Sequence, residues 1–432
     1  MRLAARKARW AGVALVTLVG SLLSAGAIPA GASGASSPAN QGVTATTVIV
    51  GLPYVNFAAL KNLGVDINDG SFPDAYTAIA NNINAHGGIN GRKINMQMVE
   101  MNPALPADAA SSCAQLTEDD HVFVSISPVF PDCYQQTYDT PVIAGSLPGA
   151  LPAGSAPDFA LIPPDAAFDP LQLAAFDKRG VFKGKKVGIF YGATSDAPEV
   201  ASVQADLKKL HVPVVLTAED SAPATDTVAS DQETQTIELK FKDAGINVVI
   251  GVGGSGSTTW PRAQLDLQST YKPTFIATSE SSLISYVQST KGANPYLDYV
   301  LAATSVPSAY QQWQDPEIKQ CVAVVHKAYP SDTITPPTNP ATQVASTDTT
   351  YESVIEACQY LGLFTKIADA AGKNLNVASL TKAGYALKNV TIPGMGGPIS
   401  FGPGQPYALG AVSVVHYDTQ TQTLVPGSST GP

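Results

Sequence analysis

The chain has 432 residues, 44% of them hydrophobic and 14% charged, with a formal net charge of −10. That length suits two or three ordinary domains, and the acidic balance disfavours binding to nucleic acid or to an anionic membrane. Its four cysteines allow three pairings into two disulfides, or remain free buried thiols.

Arg2, Arg6, Lys7 and Arg9 precede an apolar run from Trp10 to Leu23, and Ala25-Gly-Ala27 or Ala30-Gly-Ala32 offers a small-residue cleavage site. Residues 1–32 are therefore expected to be a signal peptide. The run is shorter than the roughly 20 residues of a spanning helix, and no later stretch approaches that length. The mature protein is expected to be secreted or extracytoplasmic (periplasm or cell wall), with no membrane span. The first cysteine is Cys113, so the leader supplies none to carry a lipid anchor. Residues 33–46, rich in Ser, Gly, Ala and Pro, read as a flexible linker.

Val48-Ile-Val-Gly-Leu52 reads as a strand. Phe72, Ala75, Tyr76, Ile79, Ala80 and Ile83 then follow the rhythm of one buried helix face. Gly87 and Gly88 suit the left-handed backbone that closes a helix, and a strand follows over Ile94–Glu100. Strand, helix and strand in this order make a βαβ unit of a parallel sheet. A helix near Asp108–Glu118 and strands Val122–Ser127 and Val142–Ala144 continue the array.

After Lys185 a second array begins: strand Val187–Tyr191, helix Pro198–Leu210 and strand Val212–Leu216. It continues with a helix over 233–244, strand Val248–Val252, helix Arg262–Tyr271 and strand Thr274–Ala277. Two successive α/β arrays predict two lobes, each a parallel sheet flanked by helices. Helices Pro316–Tyr329 and Thr349–Ala371 follow, separated by a Pro, Thr and Asn-rich loop. Gly396–Phe401, Ala411–Tyr417 and Thr423–Val425 form a β-rich tail, read as a hairpin.

The five histidines are scattered, HExxH and CxxC are missing, and neither a Gly-x-Ser-x-Gly elbow nor a Walker lysine occurs. Asp66-Ile-Asn-Asp69-Gly70 hints at a calcium loop, but Thr77 stands where a bidentate glutamate is needed. No metal and no cofactor are expected. Gly251-x-Gly253-x-x-Gly256 follows a strand and has Glu280 after the next one, close to a dinucleotide fingerprint. Trp260-Pro261 weakens that reading by falling where the helix should be running. It leaves as an alternative a secreted α/β enzyme, an oxidoreductase or hydrolase, built on the Gly251–Gly256 loop.

The opening strand, the helix ending Ile83-Asn-Ala-His-Gly-Gly-Ile-Asn90-Gly91-Arg92, and the Gly-rich tail resemble the type I periplasmic binding proteins. These are the branched-chain amino-acid receptors that feed ABC importers. The resemblance runs from about Val48 to Val425 and implies a two-lobed α/β fold joined by a three-strand hinge. Lobe 1 would contain residues 46–162 and 307–398, and lobe 2 residues 163–306 and 399–426. The crossings would fall near Pro163-Pro164, Ser305–Pro307 and Gly396–Pro398.

The function implied is a solute receptor, monomeric, with a small polar or amino-acid-like ligand and an importer's membrane subunits as partners. A ligand sensor subunit for a signalling kinase shares the same fold. By the same resemblance, Ser127, Gly145 and Ser146 would hold a ligand carboxylate and Glu280 an ammonium group. Gly253 and Ser255 would line lobe 2, and Tyr54 and Phe57 would contact the ligand from the first strand. The preferred disulfides are Cys113–Cys133, in a region where amino-acid receptors of this family also carry a bridge, and Cys321–Cys358, tying two helices. The chain departs from the family at Tyr54–Leu60, at Gly192–Pro198 and in lacking a tyrosine in the Gly253 loop, which leaves the ligand open.

Overall fold

The computed structural model describes residues 40–57, 67–102, 105–127, 131–145, 156–192, 196–223, 226–267, 271–290, 294–339, 342–343, 348–418, 421 and 423–427. The leader with both cleavage sites lies outside the described residues, as does Ser146.

Strand β1 (Thr47–Val55) buries Val48, Val50 and Leu52 almost completely. Helix α1 (Phe72–Ala85) starts at Ser71, whose hydroxyl accepts from the Asp74 N–H, with Pro73 in the first turn. It ends at Gly87 and Gly88, whose φ angles are 108° and 64°. A Cβ on Gly88 would sit 2.0 Å from the Arg92 carbonyl oxygen, so this turn requires glycine. The Asn90 amide then donates to the Ala368 carbonyl at 3.1 Å. Arg92 donates to the carbonyls of Thr44 and Lys373 at 2.7 and 2.6 Å. The motif that carried the resemblance therefore ties β1 to a helix some 280 residues later. Its role here is architectural.

β2 (Lys93–Met101), α2 (Pro106–Ala114), β3 (Val124–Ile126), β4 (Val142–Ala144) and β5 (Asp158–Ala160) complete the first parallel array. The chain crosses at 161–164 into α3 (Asp165–Lys178), β6 (Val187–Tyr191), α4 (Ala197–Lys209) and β7 (Val214–Glu219). It continues through α5 (Thr227–Asp243), β8 (Val248–Val252), α6 (Gly253–Leu267), β9 (Thr274–Ala277), α7 (Glu280–Thr290) and β10 (Val300–Thr304). It then returns as α8 (Ala309–Gln314), α9 (Pro316–Ala328), α10 (Glu352–Ala371) and α11 (Val377–Ala386). The tail holds β11 (Val390–Thr391), β12 (Pro398–Gly402), β13 (Gln405–Leu409), β14 (Ser413–Asp418) and β15 (Thr423–Pro426).

Two sheets result, ordered β11-β12-β13-β5-β4-β3-β1-β2 and β15-β14-β10-β9-β8-β6-β7. Both are mixed rather than purely parallel, because the tail adds antiparallel edge strands to each. The tail also divides later than expected. β12 and β13 belong to the first sheet, where Tyr407 pairs with Ala160 and Phe401 packs edge-on against Phe159 at 5.8 Å. The third crossing is therefore at 410–412, not at Gly396–Pro398. Gly396 still needs to be glycine, since at φ 69° a Cβ would meet Pro307 at 2.7 Å. β14 and β15 form the expected hairpin on the second sheet.

Each sheet has its own core on both faces. On the first, α1, α9, α10 and α11 cover one side around Phe159, Leu361 and Phe364. Cys113, Leu116 and Tyr134 fill the other. The Cys113–Cys133 and Cys321–Cys358 disulfides are both formed, with Cα separations of 6.4 and 6.1 Å. On the second sheet, Phe168, Phe176 and Leu207 cover one side, and Phe241, Trp260 and Leu283 the other. Among the described residues no helix is long and apolar enough to cross a membrane.

Candidate functional site

Ligands of parallel sheets approach the carboxyl ends of the strands, where helix N-termini and loop side chains converge. On the first sheet Ser127 follows β3 with φ 53°, a left-handed conformation that costs a non-glycine residue strain of the kind found at ligand clamps. Its side chain hydrogen-bonds to Glu356, which also accepts from the Tyr76 hydroxyl at 2.9 Å. Gly145 follows β4, and a Cβ there would lie 2.3 Å from the Tyr360 hydroxyl oxygen. Glu352, Glu356 and Tyr360 recur every fourth residue of α10 and so share one face. Together with Ser127 and Gly145 they form an acidic wall at the end of the first sheet.

Burial, above all, and the charge of Asp69 push Glu352 and Glu356 each up to about 7. Hydrogen bonds from Ser127 and Tyr76 pull Glu356 the other way. The corner expected to receive a ligand carboxylate is thus furnished with a carboxylate of the chain itself. Tyr54 and Phe57 are each engaged by a neighbour. The Tyr54 hydroxyl donates to Glu100 at 3.4 Å, and the Phe57 ring lies 6.1 Å from that of Phe72.

On the second sheet Gly253 opens α6 at φ 71°, and its N–H donates to the Thr278 hydroxyl at 2.9 Å. That hydroxyl in turn donates to Glu199 at 3.1 Å. A Cβ on Gly253 would meet the Asp196 carboxyl carbon at 2.6 Å, and one on Gly192 would meet Ser255 Cβ at 2.8 Å. The α6 N-terminus, where a dinucleotide's pyrophosphate would sit, therefore faces Asp196 and Glu199. Those charges repel a phosphate from the place the fingerprint requires. The helix also runs through Pro261 instead of breaking there, because Trp260 is fully buried and anchors it. Asp169, fully buried, accepts from Gln172 at 2.8 Å. Burial and then the Glu199 charge push its carboxyl well up.

Glu280 begins α7, half-buried. Burial pushes its carboxyl up to about 7, the Thr304 hydroxyl opposes that, and the Asp165 charge adds to it. It lines a cavity of about 360 Å³ bounded by both lobes. Glu280, Ile284, Ser413 and Leu424 come from the second sheet's side. Tyr310, Gln311, Tyr351 and Glu352 come from the first, with Val306 and Pro307 of the crossing between them. Among the described residues no Lys, Arg or His lines it. Of the expected site residues that are described, only Glu280 is in this lining. Ser127 and Gly145 reach it indirectly, through Glu356 and Tyr360 on the helix that begins with Glu352.

A more open cavity of about 460 Å³ surrounds Thr44, Arg92 and Lys373 at the amino ends of β1 and β2. It lies at the wrong end of the strands for the fold's ligand geometry, and Arg92 is already engaged with two carbonyls. The smaller interlobe cavity is the better candidate.

Sequence reading missed Glu352, Glu356 and Tyr360, and weighed Asp69 only as part of a calcium loop. A signal was available: two acids four apart on one helix repel each other, and these flank the apolar positions Val354 and Ile355 with no lysine between.

No family model matches the sequence, and no curated protein matches it. Solved structures do. An ABC transporter substrate-binding protein from Desulfitobacterium hafniense in complex with Leu superposes with a TM-score of 0.59 at 14% identity, over 88% of this chain and 100% of that one. A periplasmic binding protein type 1 from Bordetella pertussis gives 0.54 at 17% identity, over 88% and 99%. A solute-binding protein of an ABC transporter from R. palustris, in complex with 4-hydroxybenzoate, gives 0.54 at 13%, over 88% and 95%. The chain has the two-lobed fold of the type I periplasmic binding proteins.

Proposed function

We propose that this chain is an exported receptor for a small polar or amino-acid-like solute, serving an ABC importer and closing its lobes over the ligand without altering it. The supporting observation is the 360 Å³ cavity between the lobes, walled by α7 and the β14–β15 hairpin of one lobe, by α8 and the start of α10 of the other, and by the 304–308 crossing. Its volume is at the lower end of those that hold small molecules. The lobes we propose follow the sheets: 46–162 with 307–409, and 163–306 with 410–426. Three crossings of a few residues are the natural hinge, because a turn of few dihedrals there moves each lobe as a body. The closed form gains whatever contacts the solute makes to both walls. The leader, if removed as its pattern implies, places the mature protein outside the cytoplasm, where both disulfides persist.

A thermal-shift screen of the mature protein against amino acids, amines, small carboxylates and sugars tests this. A solute that saturates at one per chain and raises Tm with concentration is the expected result. Stabilisation by NAD alone, or by nothing in the screen, contradicts the receptor reading.

A further inference from the structure

Resting on that reading, we infer that the solute is an organic ammonium ion without a carboxylate, held between Glu280 of one lobe and Glu352 of the other with Tyr310 and Tyr351 against its body. The cavity places a carboxyl on each wall and, among the described residues, no basic side chain on either. Among the described residues, Lys209 pairs with Asp206 and Arg262 with Asp231, and none of these four residues belongs to the lining. The acidity continues behind each wall, with Glu356 and Asp69 beyond Glu352 and with Asp165 beyond Glu280.

A ligand carboxylate entering here meets like charge on both sides. The corner that would otherwise receive it, Ser127, is engaged by Glu356. A cation is attracted from both lobes at once and so favours the closed form. Burial holds both carboxyls near 7, and a bound ammonium supplies a counter-charge. Tyr310 and Tyr351 bring aromatic side chains, which attract cations, and Ile284, Val306 and Leu424 suit an apolar body. This differs from Leu and 4-hydroxybenzoate, each of which carries a carboxylate, bound by the two structural neighbours.

The test is isothermal titration calorimetry of the mature protein with matched probes: phenethylamine and 1,4-diaminobutane, phenylalanine, 3-phenylpropionate, and neutral glucose. An amine is expected to bind at least tenfold more tightly than phenylalanine, with no binding of 3-phenylpropionate. Glu280→Gln and Glu352→Gln, which keep the side-chain shape, are each expected to weaken the amine about tenfold or more. Circular dichroism melts confirm that both variants fold. Phenylalanine or 3-phenylpropionate binding as tightly as the amines overturns the inference and leaves the receptor reading intact, and so does glucose binding in their place. Amine binding untouched by both substitutions overturns the site. Failure of every solute in this set and in the wider screen removes both.

Discussion

Trp260→Ala is expected to destabilise the second lobe by about 3–5 kcal/mol, the usual cost of emptying a large aromatic site in a core. Trp260 is fully buried, with the Phe190, Phe241 and Phe275 rings at 5.2, 5.4 and 6.1 Å. Its indole N–H donates to the Tyr296 hydroxyl at 3.2 Å, and that hydroxyl donates on to the Pro273 carbonyl at 2.8 Å. Removing the indole opens a cavity among three rigid rings that cannot collapse, and leaves the Tyr296 oxygen without its donor. A loss of this size is a large part of a domain's whole stability.

The two lobes carry separate cores, so the loss should be confined to one of them. Trp313 in α8 lies on the first sheet's side and remains as a fluorescent reporter of that lobe. In urea, far-UV circular dichroism of Trp260→Ala should show an early transition, while the Trp313 emission midpoint stays near its wild-type value. Trp260→Phe should recover most of the loss. A single transition shifted by less than about 1 kcal/mol would contradict this packing account.

Stability is expected to rise as pH falls from about 8 to about 5. Burial, the largest cause in each case, raises Asp158 to about 6, Glu280, Glu352 and Glu356 to about 7, and Glu238 to about 8. Unfolded, these groups titrate near the ordinary carboxylate value of about 4. Between that value and the folded one, the native state binds more protons than the unfolded state. The slope of unfolding free energy with pH is then negative, and the folded state loses stability as pH rises through this window.

Glu238 shows the effect most cleanly. It is 2% exposed, and the Gln264 amide, which eases its ionisation, only partly offsets that burial. Each pH unit separating the folded from the unfolded titration corresponds to about 1.4 kcal/mol, so ionising this carboxyl in place costs several kcal/mol as an order of magnitude. Glu238→Gln should therefore stabilise the protein at pH 8, change little at pH 4.5, and flatten the profile between. Urea midpoints across this range check it, and a wild-type midpoint that climbs toward pH 8 would show the sign to be wrong.

Much of this architecture was legible because period and punctuation agree. The α1 face, the paired glycines and the β-branched strands each specify one local structure, and both disulfide pairings follow the same frame. Other parts depend on contacts between distant segments. Whether β13 joins one sheet or the other turns on Tyr407 meeting Ala160, a register that no local pattern encodes. The α6 helix survives Pro261 because Trp260 is gripped by strands and a helix from elsewhere in the chain. The cleft was harder to read. Ser127, Gly145 and Glu280 fall at strand ends, as the fold implies, but the residues that give those ends their charge come from α10, more than 200 residues after Ser127. Ser255 turned out to pack on Gly192, and Tyr54 and Phe57 to pair with Glu100 and Phe72.

A receptor of this kind works only if its lobes swing together around something caught between them. Small-angle X-ray scattering of the mature protein, alone and saturated with the solute that most raises its Tm, measures that movement in solution. The radius of gyration should fall on saturation, and should not fall with the Glu280→Gln, Glu352→Gln double variant at the same solute concentration. An unchanged radius in the wild-type protein, with binding confirmed by calorimetry in the same sample, would mean that the lobes do not close on their ligand.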